Sequence, residues 1–471
     1  MLKKKNNAKI NSLFKASIYY IFGNVIGQGT VLLSTILFTR MMSKADYGEY
    51  STYYSLVTIL TTIVGANLFI GLNSAYLDYK EKIREFRASI LFLSVLVFGI
   101  VSAIVCILKA LSIVNWSWFV VFIALAHSYA FFVINYFNYS ANMENRYLAK
   151  TFLLILPNVL QIAVSVIAIC IFAENKLEAR MVGSMLGILS CACFVFVKMA
   201  LDTKKIVVLE YWKYALKISV PSVLSSISYM IMQQSDKIMI TSIHGSEETA
   251  VYSVAYYIGY ALYAVLQATS GVWQAWIYRA LDSGKTQNMK QLQKWYLVSF
   301  LIMAFGLFMI APEVIKLLSP KSYWNFDYVP PFILGSCLML LYTFYTTIGL
   351  FYKKSGMVSA VVFFSAVVNV ILNYLFIPRF GGIAASYTTV VAYFILFLLS
   401  RTLIQKINPG IYSGKYFAIF LISLVLGGIL FLCIYPYTLI RYIVYSVIIM
   451  IMGVYVVIKR NEIFNLIGMK K

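Results

Sequence analysis

Residues 88–108 read ASILFLSVLVFGIVSAIVCIL, 21 positions without one charged side chain. A helix rises about 1.5 Å per residue, so a run of this length crosses the roughly 30 Å hydrocarbon core of a bilayer. Working outward, runs of comparable character are read at 16–39, 50–76, 117–139, 151–172 and 181–200 in the first half of the chain. The second half gives 218–240, 250–278, 295–311, 330–351, 357–377, 383–404, 416–436 and 440–458. The expectation is an all-α polytopic membrane protein with about 14 transmembrane helices.

Composition demands the same class. Of 471 residues, 61% are apolar and only 12% charged, and the mean hydropathy is +0.82. Soluble domains carry roughly 25% charged residues, which they need as a polar shell. The net charge of +22 could point to nucleic acid, but the Lys and Arg residues do not gather on one aromatic-flanked face. They sit in short groups between the apolar runs. With the N-terminus placed in the cytoplasm, roughly 29 fall on the inner side and about 10 outside, the bias that sets membrane topology. Both termini are then expected in the cytoplasm. The basic N-terminal segment leads into a run too long for a signal-peptide core, so that run is expected to be a retained first span.

The loops are short. The stretch from Pro312 to Pro331, with Tyr323, Trp324 and Tyr328, is read as an outer interfacial segment with aromatic anchors. The six cysteines all fall in apolar runs, without CxxC or His–Cys spacing, and read as small hydrophobes. The only histidines are His127 and His244. No Gly-rich phosphate loop, zinc spacing or catalytic constellation is present, so neither a cofactor nor an enzymatic activity is expected.

The halves repeat each other. Arg40 and the Tyr47–Tyr54 stretch follow the first span, and Lys237 and the Val251–Tyr257 stretch follow the seventh. An even number of spans separates the copies, so the repeat is parallel, with a binding site expected between its two parts. The divisions are residues 1–205 and 206–408, two six-helix lobes, then 409–471, two additional helices and a tail.

Three stretches resemble the multidrug/oligosaccharidyl-lipid/polysaccharide (MOP) exporter superfamily, and within it the Wzx-type polysaccharide flippases. They are Arg40 with ADYGEY at 45–50, DKIMI at 236–240 leading to VYS at 251–253, and NVILNYLFIPRFGGIAA at 369–385. The resemblance implies two lobes forming a V in a bacterial inner membrane. It implies a polyprenyl-pyrophosphate-linked oligosaccharide moved to the outer leaflet by alternating access, for O-antigen or capsule synthesis. Membrane lipid, a polysaccharide polymerase and chain-length partners would be its neighbours, and nucleic acid would not. Related lipid II flippases carry arginines in the first span, where this chain has only Asn24 and Gln28.

Polar residues inside apolar runs mark candidate substrate contacts, since a charge at a helix centre costs about 2.5–3.5 kcal/mol. Asp236 and Lys237 stand out, with Gln233 and Gln234 one turn away; the competing reading has the charged pair snorkel to the outer interface. Arg40 could hold pyrophosphate oxygens in a bidentate grip or serve as an interfacial anchor. Arg279, at the inner end of span eight, could meet the incoming headgroup or simply obey topology. Asn369 and Asn373, four apart and on one face, either line a wet cavity or bond between helices. Pro157 and Pro221 are either hinges or breaks near span starts. Two rival functions remain: a cation-coupled multidrug exporter, for which Asp236 is the one acidic candidate, and a membrane polysaccharide polymerase, which would want a large outer loop or an acidic pair such as Asp46 and Glu49.

Overall fold

The computed structural model describes residues 26, 27, 29–114, 116–144, 146–203, 205–284 and 286–462, and among them all regular structure is helical. Among the described residues, eleven helices are long and apolar enough to cross a membrane, or twelve if one bent pair is a single span. The chain divides into two compact units, residues 1–241 and 242–471.

In the first unit the helices are α1 (Gly29–Met41), α2 (Lys44–Val64), α3 (Leu68–Asp78), α4 (Ile83–Ala110), α5 (Trp118–Met143), α6 (Tyr147–Ile171) and α7 (Lys176–Ala200). Helix α8 (Leu209–His244) lies within this unit as far as Thr241. Ser43 caps α2, its hydroxyl accepting the Asp46 N–H at 3.1 Å, which satisfies one donor left open by the first turn. Between α2 and α3 the backbone turns left-handed at Ala66 (φ 40°) and Asn67 (φ 51°), and the two helices meet at a 46° bend. The run read as one span is thus a broken one. Its break is held by Asn67, whose amide donates to the Ser222 carbonyl and the Ser226 hydroxyl of α8. Helices α6 and α7 cross closely: a Cβ at Gly187 would stand 2.6 Å from the Gln161 nitrogen, the small-residue contact by which membrane helices gain packing.

The second unit holds α9 (Ser246–Asp282), α10 (Met289–Leu318), α11 (Val329–Phe351), α12 (Ser355–Gln405), α13 (Gly414–Ile434) and α14 (Thr438–Ile458). Helix α11 is its centre, with 17 of 23 residues buried. Helix α14 is its margin, with only Arg441 and Tyr445 buried. The exposed side chains on such helices are apolar, as in Ile440, Ile443, Val447 and Met450 of α14 and Leu96, Ile100, Ile104 and Ile107 of α4. That is the reverse of a water-soluble surface and is the surface lipid requires.

Helix α12 is 51 residues long but interrupted at Gly381, with φ 63° and ψ −152°. This backbone region is open essentially to glycine alone. The Thr388 hydroxyl donates to the Asn373 amide oxygen, and the Asn369 amide donates to the Thr389 hydroxyl at 3.1 Å. Residues 15 apart on an unbroken helix would be about 22 Å apart along its axis. The two arms therefore run back alongside each other, a helical hairpin turning at Gly381.

Two expectations need correction. The stretch from Pro312 to Pro331 is not one interfacial loop, because α10 continues through Pro312 to Leu318 and α11 starts at Val329. Tyr323 and Tyr328 are buried, Tyr328 packing against Tyr252 and Phe332 at 5.8 and 6.0 Å. Aromatic composition predicted anchors at the interface, but their apolar rings gain more from the core. Pro157 and Pro221 lie inside α6 and α8 rather than breaking them; α8 is already helical from Leu209, where the sequence is too polar to read as span.

Candidate functional site

Four candidate residues of the first unit, Gln233, Gln234, Asp236 and Lys237, lie on α8. It buries only eight of its 36 residues, among them Asp236 at 2% and Lys237 at 8% exposure. Their burial speaks against snorkelling, which would leave the charged ends in water. A line of polar contacts joins α8 to α2 and α3. Toward the C-terminal end of α8, Thr52 donates to the Lys237 carbonyl at 3.4 Å and meets Thr241 at 2.5 Å, and Ser55 donates to the Gln234 amide oxygen at 2.9 Å. At the other end Tyr214 donates to Asp78 at 2.5 Å, and Tyr79 to Glu210 at 3.0 Å. The Gln233 amide turns along its own helix, donating to the Tyr229 hydroxyl at 2.7 Å.

Asn24 and Gln28 lie outside the described residues. Arg40, at the end of α1, is exposed and donates to its own-turn Ile36 carbonyl at 2.9 Å. In the second unit, Arg279 is likewise exposed and donates to the Ala275 carbonyl at 3.2 Å. Asn369 and Asn373 are fully buried between the arms of α12. The candidates thus divide into groups held inside packed helices and cations at helix ends.

Three buried cations were not singled out from sequence. Arg87, 3% exposed, joins the start of α4, the end of α5 and the segment after α7. Its guanidinium donates to Ser140 at 3.1 Å and Glu144 at 2.6 Å and pairs with Asp202. Arg180 of α7 lies over Tyr50, Phe38 and Tyr47, 3.6, 4.0 and 5.1 Å from their ring centres, a cation–π enclosure. Arg441 of α14 donates to the Met309 and Tyr435 carbonyls at 2.9 and 2.5 Å and pairs with Glu313. Only Arg441 left a readable signal, a lone charge inside an apolar run. Arg87 looked like one more topogenic cation.

Two further groups bear on the α12 hairpin. Glu248, in the first turn of α9, accepts the Gly382 N–H at 2.6 Å, and its carboxylate occupies the space a Cβ on Gly381 would need. His244 sits 3.5 Å from that carboxylate and donates through Nε2 to the Ile377 carbonyl at 2.8 Å. In the first unit His127 is fully buried on α5, 2.9 Å from the Tyr53 hydroxyl and stacked on Phe131. Among the described residues no group of three or more His, Cys, Asp or Glu could hold a metal ion.

The sequence profile of the family described as polysaccharide biosynthesis protein matches residues 13–277, more than half of the chain. No curated protein matches it in sequence. Among solved structures it is similar to a lipid II flippase MurJ in an inward closed conformation, at 16% identity and a TM-score of 0.71, over 96% of this chain and 100% of that one. It is also similar to a MOP-superfamily transporter from Pyrococcus furiosus, at 16% identity and a TM-score of 0.54, over 84% and 96% of the two chains. A mutant of the Vibrio cholerae MATE transporter VcmN aligns at 12% identity and a TM-score of 0.56, over 86% and 98%. On that family match the chain belongs to the polysaccharide biosynthesis protein family, with the multi-pass helical fold of the solved MOP-superfamily structures it resembles.

Proposed function

We propose that the protein is a flippase that moves a polyprenyl-pyrophosphate-linked oligosaccharide from the inner to the outer leaflet of a bacterial inner membrane by alternating access. The observation that carries this reading is the family match over residues 13–277, joined to a fold shared from end to end with a lipid II flippase. The likeness to the MATE transporter is weaker and covers less of the chain, which favours a lipid-linked substrate over a cation-coupled drug.

Fourteen spans, in two six-helix lobes plus two C-terminal helices, fit this reading. The hairpin in α12 supplies two spans, and α1 continues the apolar run that begins near residue 16. The N-terminus is proposed to be cytoplasmic on the positive-inside distribution. Asp236, Lys237, Gln233, Gln234, Arg40, Arg279, Asn369 and Asn373 are proposed as substrate-path residues, together with Asn24 and Gln28. No nucleotide motif occurs in the sequence, so the driving force is assigned to ion gradients, the membrane potential or product removal. One charge crossing 100 mV is worth about 2.3 kcal/mol, and an inside-negative potential drives an anionic pyrophosphate outward.

Deleting the gene in a strain without a redundant flippase tests the proposal. Lipid-linked oligosaccharide should accumulate on the inner leaflet and surface polysaccharide should fall, measured by mass spectrometry of extracted lipids and by surface staining. Unchanged surface polysaccharide in that strain would refute it.

A further inference from the structure

One face of α9 has a composition that neither lipid nor a packed core requires. Tyr256, Tyr260, Tyr263, Gln267, Gln274 and Tyr278 follow one another at spacings of 4, 3, 4, 7 and 4, which places all six on a single helical stripe. The neighbouring edge, from Tyr252 through Leu262 to Ile277, is buried core, whereas the six are half-buried or, at Gln267, exposed. Twenty-two residues at about 1.5 Å each carry the stripe roughly 33 Å, the thickness of the hydrocarbon layer.

Each amide on the stripe bonds along its own helix. Gln267 donates to the Tyr263 hydroxyl, and Gln274 to the Tyr278 hydroxyl at 3.0 Å. Neighbouring rings touch: Tyr256 stacks on Tyr260 at 5.8 Å, and Tyr260 meets Tyr263 at 5.7 Å. The same amide–phenol device recurs on α8 in Gln233 and Tyr229. At the ends of the stripe Tyr256 packs edge-on against Phe332 and Tyr278 against Phe351 of α11, at 5.5 and 5.4 Å. Between them, hydroxyls and amides turned toward acyl chains would be costly, which argues for water along the middle of this face. It carries no charge until Arg279, just beyond one end.

We propose that this stripe is a glycan track, a row of sites for the uncharged sugars of the lipid-linked oligosaccharide; it rests on the flippase reading above. Tyrosine offers a flat apolar face to sugar C–H groups and a hydroxyl beside it. Glutamine both donates and accepts toward sugar hydroxyls. A pyrophosphate would call instead for cations. Repeated contacts of similar chemistry suit passage, because a transported group must bind well enough to enter and weakly enough to leave.

The test uses the purified full-length chain in nanodiscs and two probes. One is the polyprenyl-pyrophosphate saccharide fraction extracted from the cells that make the protein; the other is undecaprenyl pyrophosphate without sugar. The wild type should bind the glycosylated lipid more tightly. Tyr260→Ala and Gln267→Ala should each weaken that binding roughly tenfold and leave binding of the bare lipid unchanged, while Tyr260→Phe should retain most of the affinity. Should Tyr260→Ala fail to fold, the exposed Gln267→Ala carries the test. Substitutions that preserve the preference, or that weaken both lipids equally, overturn the glycan track and leave the flippase reading standing. A wild-type protein that binds neither lipid overturns both.

Discussion

Asn373 on α12 and Gln267 on α9 are both amides in the middle of apolar helices, yet the fold treats them oppositely. Asn373 is fully buried, accepts from Thr388 on the opposite arm and reaches Asn369 on its own arm at 3.5 Å. Gln267 is exposed and bonds only one turn back, to Tyr263. A polar group tied across two helices fixes how they pack, because breaking the bond leaves buried donors and acceptors unsatisfied. A polar group tied along one helix can exchange partners without moving any neighbour. The difference teaches which polar residues fix helix packing and which bond only locally, and it places Arg87 and Arg441 in the first group. The α12 asparagines, bonded across the hairpin, hold its arms together at a place also proposed to lie on the substrate path.

The comparison predicts a ladder of stability effects. Arg87→Ala should be the most severe, since it takes the buried cation from Asp202 and from Glu144, which keeps only Arg146 and Tyr76, and removes the bond to Ser140. Losing one partner of a buried charge pair costs about 3–5 kcal/mol, and thermal melting of the detergent-purified protein would read it. Gly381→Ala should follow, at about 1–3 kcal/mol for backbone strain, with added conflict between its Cβ and the Glu248 carboxylate. Glu248→Ala in that background should relieve part of the loss if the clash contributes. Asn373→Ala should cost less, about 0.6–2 kcal/mol, the range for hydrogen bonds between membrane helices. Gln267→Ala should lie within about 0.5 kcal/mol of the wild type, as surface substitutions do. A large melting shift at Gln267 would erase the distinction.

The Arg87 cluster also predicts an acid response. Burial pushes the Glu144 carboxyl upward, but the Arg87 charge, the Tyr76 hydrogen bond and Arg146 together hold it below its ordinary value. A carboxyl lowered by folding adds stability that is complete above its unfolded pKa, about 4.3. That stability is lost as pH falls through the folded value. The melting temperature should drop on acidification below about pH 4.3, and Glu144→Gln should flatten the contribution; an equal drop in that variant would assign the acid sensitivity elsewhere.

Much of the architecture was legible in the sequence because a bilayer imposes a length and a polarity on each segment independently of its neighbours. The run at 88–108 had to be a span wherever it packed, and the break between 377 and 383 showed where α12 turns. Of the stretches that carry the family resemblance, those at 45–50 and 236–253 lie within the matched residues 13–277, and the one at 369–385 lies beyond them. What sequence could not decide was partnership. Arg87 reads as a loop cation until Glu144 and Asp202 come to it from beyond the ends of two other helices. Asn373 reads equally as a cavity residue or a bond between helices until Thr388 is placed beside it on the returning arm. Glu248 gives no sign of holding the Gly382 N–H, 134 positions away in the chain. Hydrophobic length is a local property and is written locally. Saturation of a polar group depends on which distant residue folds against it, and only the tertiary structure supplies that.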